Sequence, residues 1–344
     1  MATWVIFGCG YVGTRLAKQL LADGHDVRAC SRSLHKLQAL AALGAHTFEV
    51  DGMKRRSFGP PLYGASEARV VYSIPPIPGT PPGMTVGRAA EAAQLAGARA
   101  FVYLGSTAVY GETPSGETVD EESPIAISDP EAGPRIAEES AVDTAQLSGI
   151  RTIILRLAAI YGPGRGVRER LKRGDYPLID DGVHWYSRVH VDDLCGIIRV
   201  AAEDAPIGAR YCVADDHPAT QREYVEWLCA RLGLPLPANV ESLAPGKRRR
   251  PVRNRKVSNA KLKRELGYTF RFPSYVEGEL AIEAETATTP VVAPAPPVVI
   301  PEKTTPPELE ALAAGLRRWL HGTADERLQL REAIAELLGP LSKL

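Results

Sequence analysis

The sequence predicts an α/β fold with a doubly wound parallel sheet. Short apolar runs alternate with helical patterns over the first two-thirds of the chain, and a glycine-rich turn follows the first run. Such alternation is typical of βαβ units, whose right-handed crossovers place the strands in one sheet. The predicted strands are Thr3–Phe7, Asp26–Ala29, His46–Val50, Arg69–Ile74, Ala100–Leu104 and Thr152–Arg156.

Two helices are clear from the sequence. The first covers Tyr11–Asp23, presents apolar residues on one face and stops at Gly24. The second covers Arg222–Leu232, with Thr220 at its start and Gly233 at its end. Both have the start and stop signals of helices in soluble proteins.

The composition excludes several classes of protein. Lys plus Arg number 41 and Asp plus Glu number 41, so the charge balance favours neither nucleic acid nor an anionic membrane as a partner. No apolar run approaches the roughly 20 residues that a membrane span needs. The 5 cysteines are scattered without metal-ligand spacing. The start of the chain reads as a strand rather than a leader, so we expect a cytoplasmic protein without a metal site.

The glycine-rich turn lies between the first strand and the first helix. Gly8, Gly10 and Gly13 form the pattern GxGxxG, which in this position indicates a dinucleotide site. The first glycine permits a tight turn, the second lets the backbone approach a pyrophosphate, and the third lets the helix pack on the strand. The helix N-terminus offers N–H groups and a partial positive charge to phosphates. The sequence therefore predicts a Rossmann-type fold with a bound dinucleotide.

The tip of the second strand favours NADP(H) over NAD(H). NAD enzymes place a carboxylate there, against the ribose 2′-hydroxyl, whereas NADP enzymes offer Arg to the 2′-phosphate. This chain has Ser31 and Arg32, a hydrogen-bond donor and a cation. A solvated surface role for Arg32 is the alternative. Asp51, after the third strand, suits a contact with the adenine edge or, almost equally, a turn.

Further motifs give the chain a resemblance to a known family. It resembles the extended short-chain dehydrogenase/reductases, in particular an atypical branch labelled NAD-dependent epimerase/dehydratase. The resemblance covers residues 1 to about 285 in the family's order. The matching stretches are Gly8–Gly13, Ser73–Pro76, Leu104–Gly111, Leu155–Arg165, Arg188–Leu194 and Ser258–Leu262.

The resemblance implies a Rossmann domain, a smaller C-terminal lobe and a substrate between the two. Substrates of this family are nucleotide sugars or related small hydroxyl or carbonyl compounds, and an anionic one would suit the cations of this lobe. Many relatives dimerise through two Rossmann-domain helices, so a homodimer is one expectation. The implied cofactor contacts beyond the glycines are Tyr11, Val12, Ile74, Pro75 and Tyr161.

The catalytic pattern of the family is incomplete in this chain. The family places Tyr four residues before Lys on one helix, because the Lys cation lowers the pKa of the phenol. Glu131 occupies the Tyr position here and Arg135 the Lys position, whereas Ser106 and Thr107 stand where the family has an orienting hydroxyl. We expect Ser106, Thr107 and Arg135 to act in an NADP-dependent oxidoreductase or epimerase. A non-catalytic NADP(H)-binding sensor or scaffold is the alternative.

Other polar residues have simpler interpretations. Tyr110 lies near Ser106, but packing is favoured over a catalytic phenol. Asp192 or Asp193 is expected to cap a helix that begins at Leu194, with His190 partly buried.

The chain divides into four predicted segments. Residues 1–165 form the dinucleotide-binding domain, whose sheet later segments complete, and residues 166–285 form the substrate lobe. Residues 286–307 contain seven prolines in 22 positions and read as a semi-rigid linker, and residues 308–344 read as a helical hairpin. Residues 247–256 form a basic run, which we interpret first as a solvated loop and second as a site that binds an anionic substrate. Nucleic acid is disfavoured because no aromatic residues interleave the cations.

Overall fold

Strands and helices alternate along the chain as the sequence predicts. A computed structural model describes residues 1–241 and 253–288. The strands are β1 (Thr3–Phe7), β2 (Asp26–Ser31), β3 (His46–Glu49), β4 (Arg69–Tyr72), β5 (Ala100–Leu104), β6 (Thr113–Val119), β7 (Thr152–Leu157), β8 (Ala159–Tyr161), β9 (Leu178–Ile179), β10 (Trp185–Tyr186), β11 (Arg188–His190), β12 (Ala209–Val213), β13 (Ala219–Thr220), β14 (Asn239–Val240) and β15 (Arg253–Val257). The helices are α1 (Tyr11–Ala22), α2 (Gln38–Ala41), α3 (Met84–Leu95), α4 (Gly133–Leu147), α5 (Val167–Arg173), α6 (Val191–Asp204), α7 (Gln221–Leu232), α8 (Ala260–Leu266) and α9 (Tyr275–Thr288).

Seven parallel strands form the main sheet, in the order β12-β7-β5-β4-β1-β2-β3. All of the predicted strands are present, and β12 adds a seventh from the later part of the chain. The predicted doubly wound α/β fold is therefore confirmed. The strand order reverses between β1 and β4, and such a reversal leaves a crevice at the carboxyl ends of the two strands.

Helices cover both faces of the sheet. On β1, Trp4 and Ile6 face one apolar core together with α1, α6 and α8, while Val5 and Phe7 face a second core with α3 and α4. Strands buried on both faces read as continuous apolar runs, which is why β1 and β5 were predictable with their observed bounds. A third core, built on Tyr224 and Leu228 of α7, gathers apolar residues from the later part of the described chain.

The start of α6 differs from the prediction. The helix begins at Val191 rather than Leu194, and its N-cap is His190, whose Nδ1 accepts the backbone N–H of Asp192 at 3.2 Å. The predicted cap by Asp192 or Asp193 is therefore wrong. His190 is buried rather than partly buried, at 2% exposure.

The end of the described chain also refines the prediction. Helix α9 continues to Thr288, three residues into the segment predicted as linker. The rest of that linker and the predicted hairpin lie outside the described residues. Within the described part, no helix is long and apolar enough to cross a membrane.

Gly13 lets α1 pack directly on β1. A Cβ atom added there would lie 2.7 Å from the Gly8 carbonyl oxygen and 3.0 Å from Cγ2 of Ile6. The first distance is shorter than real Cβ contacts allow, and its partner is backbone, which cannot move aside cheaply. The predicted role of the third glycine in helix–strand packing fits this geometry.

We expect Gly13→Ala to destabilise the fold by about 1–3 kcal/mol through overpacking, less the roughly 1 kcal/mol that Ala gains over Gly in a helix. The free energy of unfolding in urea measures this loss. Gly10→Ala is the matched control, because a Cβ at Gly10 meets nothing within 4 Å. Equal unfolding midpoints for the two variants would contradict the packing argument.

Asp215 is a buried carboxyl just beyond β12, with 2% exposure. Its Oδ1 accepts the backbone N–H of His217 at 3.2 Å, whereas Oδ2 has no hydrogen-bond partner among the described residues. Burial raises the pKa of Asp215 to about 8, against the opposing effects of the His217 N–H and the Arg188 cation. The folded chain therefore holds a proton here that unfolded Asp, with a pKa of about 3.9, releases.

This difference predicts a specific pH dependence. Between about pH 4 and pH 8 the folded state binds more protons than the unfolded state, so the contribution of Asp215 to stability falls as the pH rises. Asp215→Asn cannot ionise and keeps the Oδ1 acceptor, so we expect it to unfold at a higher urea concentration than wild type at pH 8. The two proteins should differ little near the acid end of this range.

Urea unfolding of both proteins across this pH range checks the expectation. Asp216→Asn, a change at the neighbouring exposed carboxyl, should show no such pH-dependent gain. An Asp215→Asn protein that is less stable than wild type at pH 8 would contradict the account.

Candidate dinucleotide site

A cleft of about 300 Å³ lies at the carboxyl ends of β1 and β4, where the strand order reverses. The loops after β1, β2, β3 and β4 line it. Six of the predicted cofactor-binding residues lie together on its wall: Gly8, Gly10, Ser31, Arg32, Ile74 and Pro75. The structure thus gathers residues that are up to 67 positions apart in sequence (Gly8 to Pro75) into one cleft.

The glycines shape the cleft because they have no side chains. Gly8 has φ +97°, and a Cβ there would come within 3.0 Å of the Ile74 backbone nitrogen, so the turn after β1 can lie directly against the loop after β4. Gly10 faces open space, with nothing within 4 Å of an added Cβ. A phosphate can therefore approach the backbone at Gly10, and the site fits a dinucleotide.

The N-terminus of α1 adds hydrogen-bond donors. Gly10 is its N-cap, and no described side chain caps this end, so the first N–H groups stay available for a ligand. The Val12 side chain is buried in the apolar core next to the turn. The Tyr11 side chain points elsewhere: its hydroxyl donates to the Pro163 carbonyl at 3.2 Å, and Arg165 lies over its ring. Tyr11 and Val12 can offer backbone, not side chains, to a cofactor.

Two cations lie at the tip of β2. Arg32 and Lys36 both line the cleft beside Ser31 and Ser33, and neither cation forms an ion pair within the described part of the chain. None of the described lining residues is a carboxylate. Sequence reasoning identified Arg32 but missed Lys36, although its position four residues later, in the turn that follows, was a usable signal.

Two other predicted contacts are engaged elsewhere. Asp51 Oδ1 accepts the Met53 N–H at 3.0 Å and so forms a turn, while its neighbours Val50 and Gly52 line the cleft. The Tyr161 hydroxyl donates to the Ser274 carbonyl at 3.3 Å. Burial raises the pKa of Tyr161 well above its usual value, so its phenol is unsuited to proton transfer near neutral pH. Neither residue lines the cleft.

Ser106 and Thr107 follow β5, as the resemblance implies. The Ser106 hydroxyl accepts the Ala108 N–H at 3.1 Å and caps a short 3₁₀ helix, and the Thr107 hydroxyl donates to the Leu157 carbonyl at 3.3 Å. Arg255 of β15 donates to the carbonyls of Thr107 and Gly111 from the other side. The Ser106 hydroxyl still has a proton to donate, so it can orient a substrate oxygen.

Arg135 lies on α4 and is joined to a buried carboxyl. Its Nη1 donates to Glu138 Oε2 at 3.3 Å, and the Tyr103 hydroxyl donates to the same oxygen at 2.6 Å. Glu131, at the family's Tyr position, pairs instead with Arg253. Sequence reasoning missed Glu138, whose partner Tyr103 is 35 residues away.

Tyr110 and the His190 cluster have structural roles. The Tyr110 hydroxyl contacts Cys212 Sγ at 3.0 Å and accepts from Arg156 at 3.0 Å, deep in a small apolar core. Burial lowers the pKa of His190 to about 4, so the ring stays neutral as a helix cap. Asp193 is buried too and accepts the backbone N–H of Phe272 at 2.9 Å. Within residues 1–241 and 253–288, no group of His, Cys, Asp or Glu could hold a metal ion.

The basic run is only partly described, since residues 247–252 lie outside the described residues. Of the remaining cations, Arg255 is buried and Lys256 is half-buried, whereas Arg253 is exposed. Arg255 is 4% exposed, Arg253 pairs with Glu131, and Lys256 lies over the Trp185 ring at 5.1 Å. β15 pairs with β6 and so brings these side chains into the fold.

Known families match the chain in two places. The NAD dependent epimerase/dehydratase family matches residues 84–214, and the family described as NADP oxidoreductase coenzyme F420-dependent matches residues 3–54. The first match contains β5, Ser106 and the start of α6, and the second contains the glycine turn and the tip of β2.

Two curated relatives are similar over shorter or longer stretches. Protein YeeZ of Escherichia coli (strain K12) is 30% identical over 175 residues, which are 50% of this chain and 58% of YeeZ. The chain therefore matches little more than half the length of that relative. The 4-hydroxy-2-methyl-3-oxo-4-farnesyl-3,4-dihydroquinoline-1-oxide ketoreductase of Stigmatella aurantiaca is 27% identical over 254 residues, with 68% of this chain and 74% of the ketoreductase covered.

Solved structures extend the likeness to the whole described fold. A protein of unknown function from Silicibacter pomeroyi DSS is 30% identical with a TM-score of 0.71, over 83% of this chain and 99% of that one. The dTDP-glucose 4,6-dehydratase of Streptomyces venezuelae, solved with NAD bound, has a TM-score of 0.70 at 22% identity, over 84% and 98% of the two chains, and shows the fold alone. With the glycine turn at the head of the sheet, the chain thus contains a match to the NAD dependent epimerase/dehydratase family over residues 84–214, and it shares its fold with the protein from Silicibacter pomeroyi DSS.

Proposed function

We propose that the chain is an NADP(H)-dependent oxidoreductase or epimerase that acts on a small hydroxyl or carbonyl compound. The main observation behind this proposal is the tip of β2, where Arg32 and Lys36 line the cleft without described carboxylate partners. Two unpaired cations beside an anion-binding helix N-terminus suit the extra phosphate of NADP(H).

Each part of the cleft has a role in holding the cofactor. Gly10 and the N–H groups of α1 would bind the pyrophosphate, Ser31 would donate to the 2′-phosphate, and Ile74 and Pro75 would form the apolar wall. Bound there, the nicotinamide supplies or accepts a hydride at the substrate carbon. The chain's own task is to hold the substrate oxygen, for which Ser106 is available.

The names of similar proteins support two substrate classes. The Stigmatella aurantiaca relative is named a ketoreductase, which supports a carbonyl substrate. Nucleotide-sugar enzymes such as the dTDP-glucose 4,6-dehydratase share the fold, which supports an anionic nucleotide sugar. A homodimer and a cytoplasmic location remain part of the proposal.

A non-catalytic NADP(H)-binding sensor is the second candidate. It is favoured by the hydrogen bonds that engage Thr107 and Arg135, and by Glu131 at the position where the family has Tyr. Cofactor binding without turnover would distinguish it from the enzyme.

We expect NADPH to bind more tightly than NADH, and Arg32→Ala to remove most of that preference. Loss of one charge-assisted contact costs about 1.5–3 kcal/mol, hence at least about tenfold in Kd for NADPH, with little change for NADH. Fluorescence titration with both cofactors measures this. Arg56→Ala removes an equal charge outside the cleft and should change neither affinity. Equal affinity of wild type for the two cofactors would contradict the NADP assignment.

We also expect wild type to oxidise NADPH in the presence of some members of a panel of small ketones, aldehydes and 4-keto nucleotide sugars. Ser106→Ala should slow that turnover at least about tenfold while NADPH affinity stays unchanged, because the hydroxyl orients the substrate oxygen and not the cofactor. Absorbance of NADPH over time is the measurement. Tight NADPH binding with no oxidation across the panel would favour the sensor.

A further inference from the structure

A second cleft, the proline cleft, lies next to the dinucleotide cleft. It has a volume of about 240 Å³ and is walled by the loop 76–83, by Thr85 at the start of α3 and by Pro134 and Glu138 of α4. Pro76, Ile77 and Pro78 line both clefts, so the two adjoin along this loop. The volume is enough for several water molecules at about 30 Å³ each.

The proline cleft lies on the side of the sheet where the reacting end of a dinucleotide belongs. Arg32 and Lys36, at β2, mark the end that carries the 2′-phosphate, and Gly10 marks the pyrophosphate. In a doubly wound sheet the second half of a dinucleotide crosses the switch point, which here leads from β1 toward β4 and β5. Glu138 packs on β5 through Tyr103, on the side toward which that half would extend.

Glu138 is the one described carboxyl among the residues that line the proline cleft, and it is 1% exposed. Its Oε2 accepts from the Tyr103 hydroxyl at 2.6 Å and from Arg135 Nη1 at 3.3 Å. Its Oε1 has no hydrogen-bond partner among the described residues. A buried carboxylate oxygen without a donor is costly, whereas a protonated one can donate to water in the cleft.

The groups around Glu138 favour the protonated form of its carboxyl. Burial raises the pKa of its carboxyl, and the Tyr103 hydroxyl and the Arg135 cation oppose that rise without cancelling it. Tyr72 of β4 is the other titratable group nearby, and its hydroxyl is engaged with Thr85 at 2.8 Å. The start of α3 packs closely on α4 here, because at Gly83 a Cβ would collide with the Ala137 carbonyl.

We propose that Glu138 holds the proton that this site exchanges with the substrate oxygen, and that the proline cleft is the route by which water relays it. The proposal rests on the proposed function and supplies the acid–base group that the absent Tyr–Lys pair would have provided. In a reduction, the carbonyl carbon gains the cofactor's hydride. The O–H bond of Glu138 breaks, a new O–H bond forms on the substrate oxygen through cleft water, and the carboxylate regains a proton from solvent. Oxidation reverses these transfers.

Infrared difference spectroscopy of the full chain tests the proposal without needing a substrate. We expect wild type at pH 7 to show protonated-carboxyl absorption from both Asp215 and Glu138, and Glu138→Gln to lack the Glu138 band alone. Addition of NADPH should shift that band, because the carboxyl lies beside the cofactor cleft. Glu139→Gln is the matched control: Glu139 is the next buried carboxyl of α4 but is ion-paired with Arg156 at 2.8 Å, so its loss should leave the band in place.

Tyr103→Phe gives a second reading that does not depend on the folding of Glu138→Gln. It removes a donor to the ionised carboxyl, so the midpoint of deprotonation should move to higher pH. A purely structural ion pair would be ionised at pH 7 in every variant. That result, or a band that bound NADPH leaves unchanged, would overturn the proposal. Failure of NADPH to bind at all would instead overturn the proposed function, and this role with it.

Discussion

The close approach of α1 to β1 is the constraint on which the rest of the site depends. Gly13 allows contact between helix and strand, and Gly8, with its positive φ, turns the chain sharply enough to bring the loop after β4 alongside. Gly10 then remains as the open position at the helix N-terminus. A side chain at Gly10 would occupy the space where a pyrophosphate has to meet backbone N–H groups, whereas side chains at Gly8 or Gly13 would force apart the segments that shape the turn.

Charged groups at the start of α6 join this helix to α1 and to the segment before α9. Asp192 accepts a bidentate pair from Arg15 of α1, at 2.7 and 2.9 Å, and Asp193 accepts backbone N–H groups from the segment before α9. Partly buried pairs of this kind contribute little net stability but are demanding in geometry. They set how α6 meets its neighbouring segments, while the apolar cores supply most of the stabilisation.

Much of this was predictable where the signal is local. Strands buried on both faces leave unbroken apolar runs such as Thr3–Phe7, and the three glycines indicate their own roles. The N-cap of α6 was not predictable, because Asp is the commoner cap and His190 acts through its Nδ1. From sequence alone, Glu138 would be predicted to lie on the exposed face of an amphipathic helix. Its contact with Tyr103 exists only because α4 packs on β5. The burial of Arg255 likewise follows from a strand pairing between distant segments, β15 with β6.

The central claim is that a dinucleotide lies across the switch point, with its phosphate groups at α1 and at the tip of β2. Hydrogen–deuterium exchange with and without saturating NADPH tests it most directly. The account predicts slower exchange in three separate segments, the turn after β1, the tip of β2 with the following turn, and the loop after β4, because these line one cleft. Protection confined to other parts of the chain, or none at all with cofactor bound, would contradict the claim.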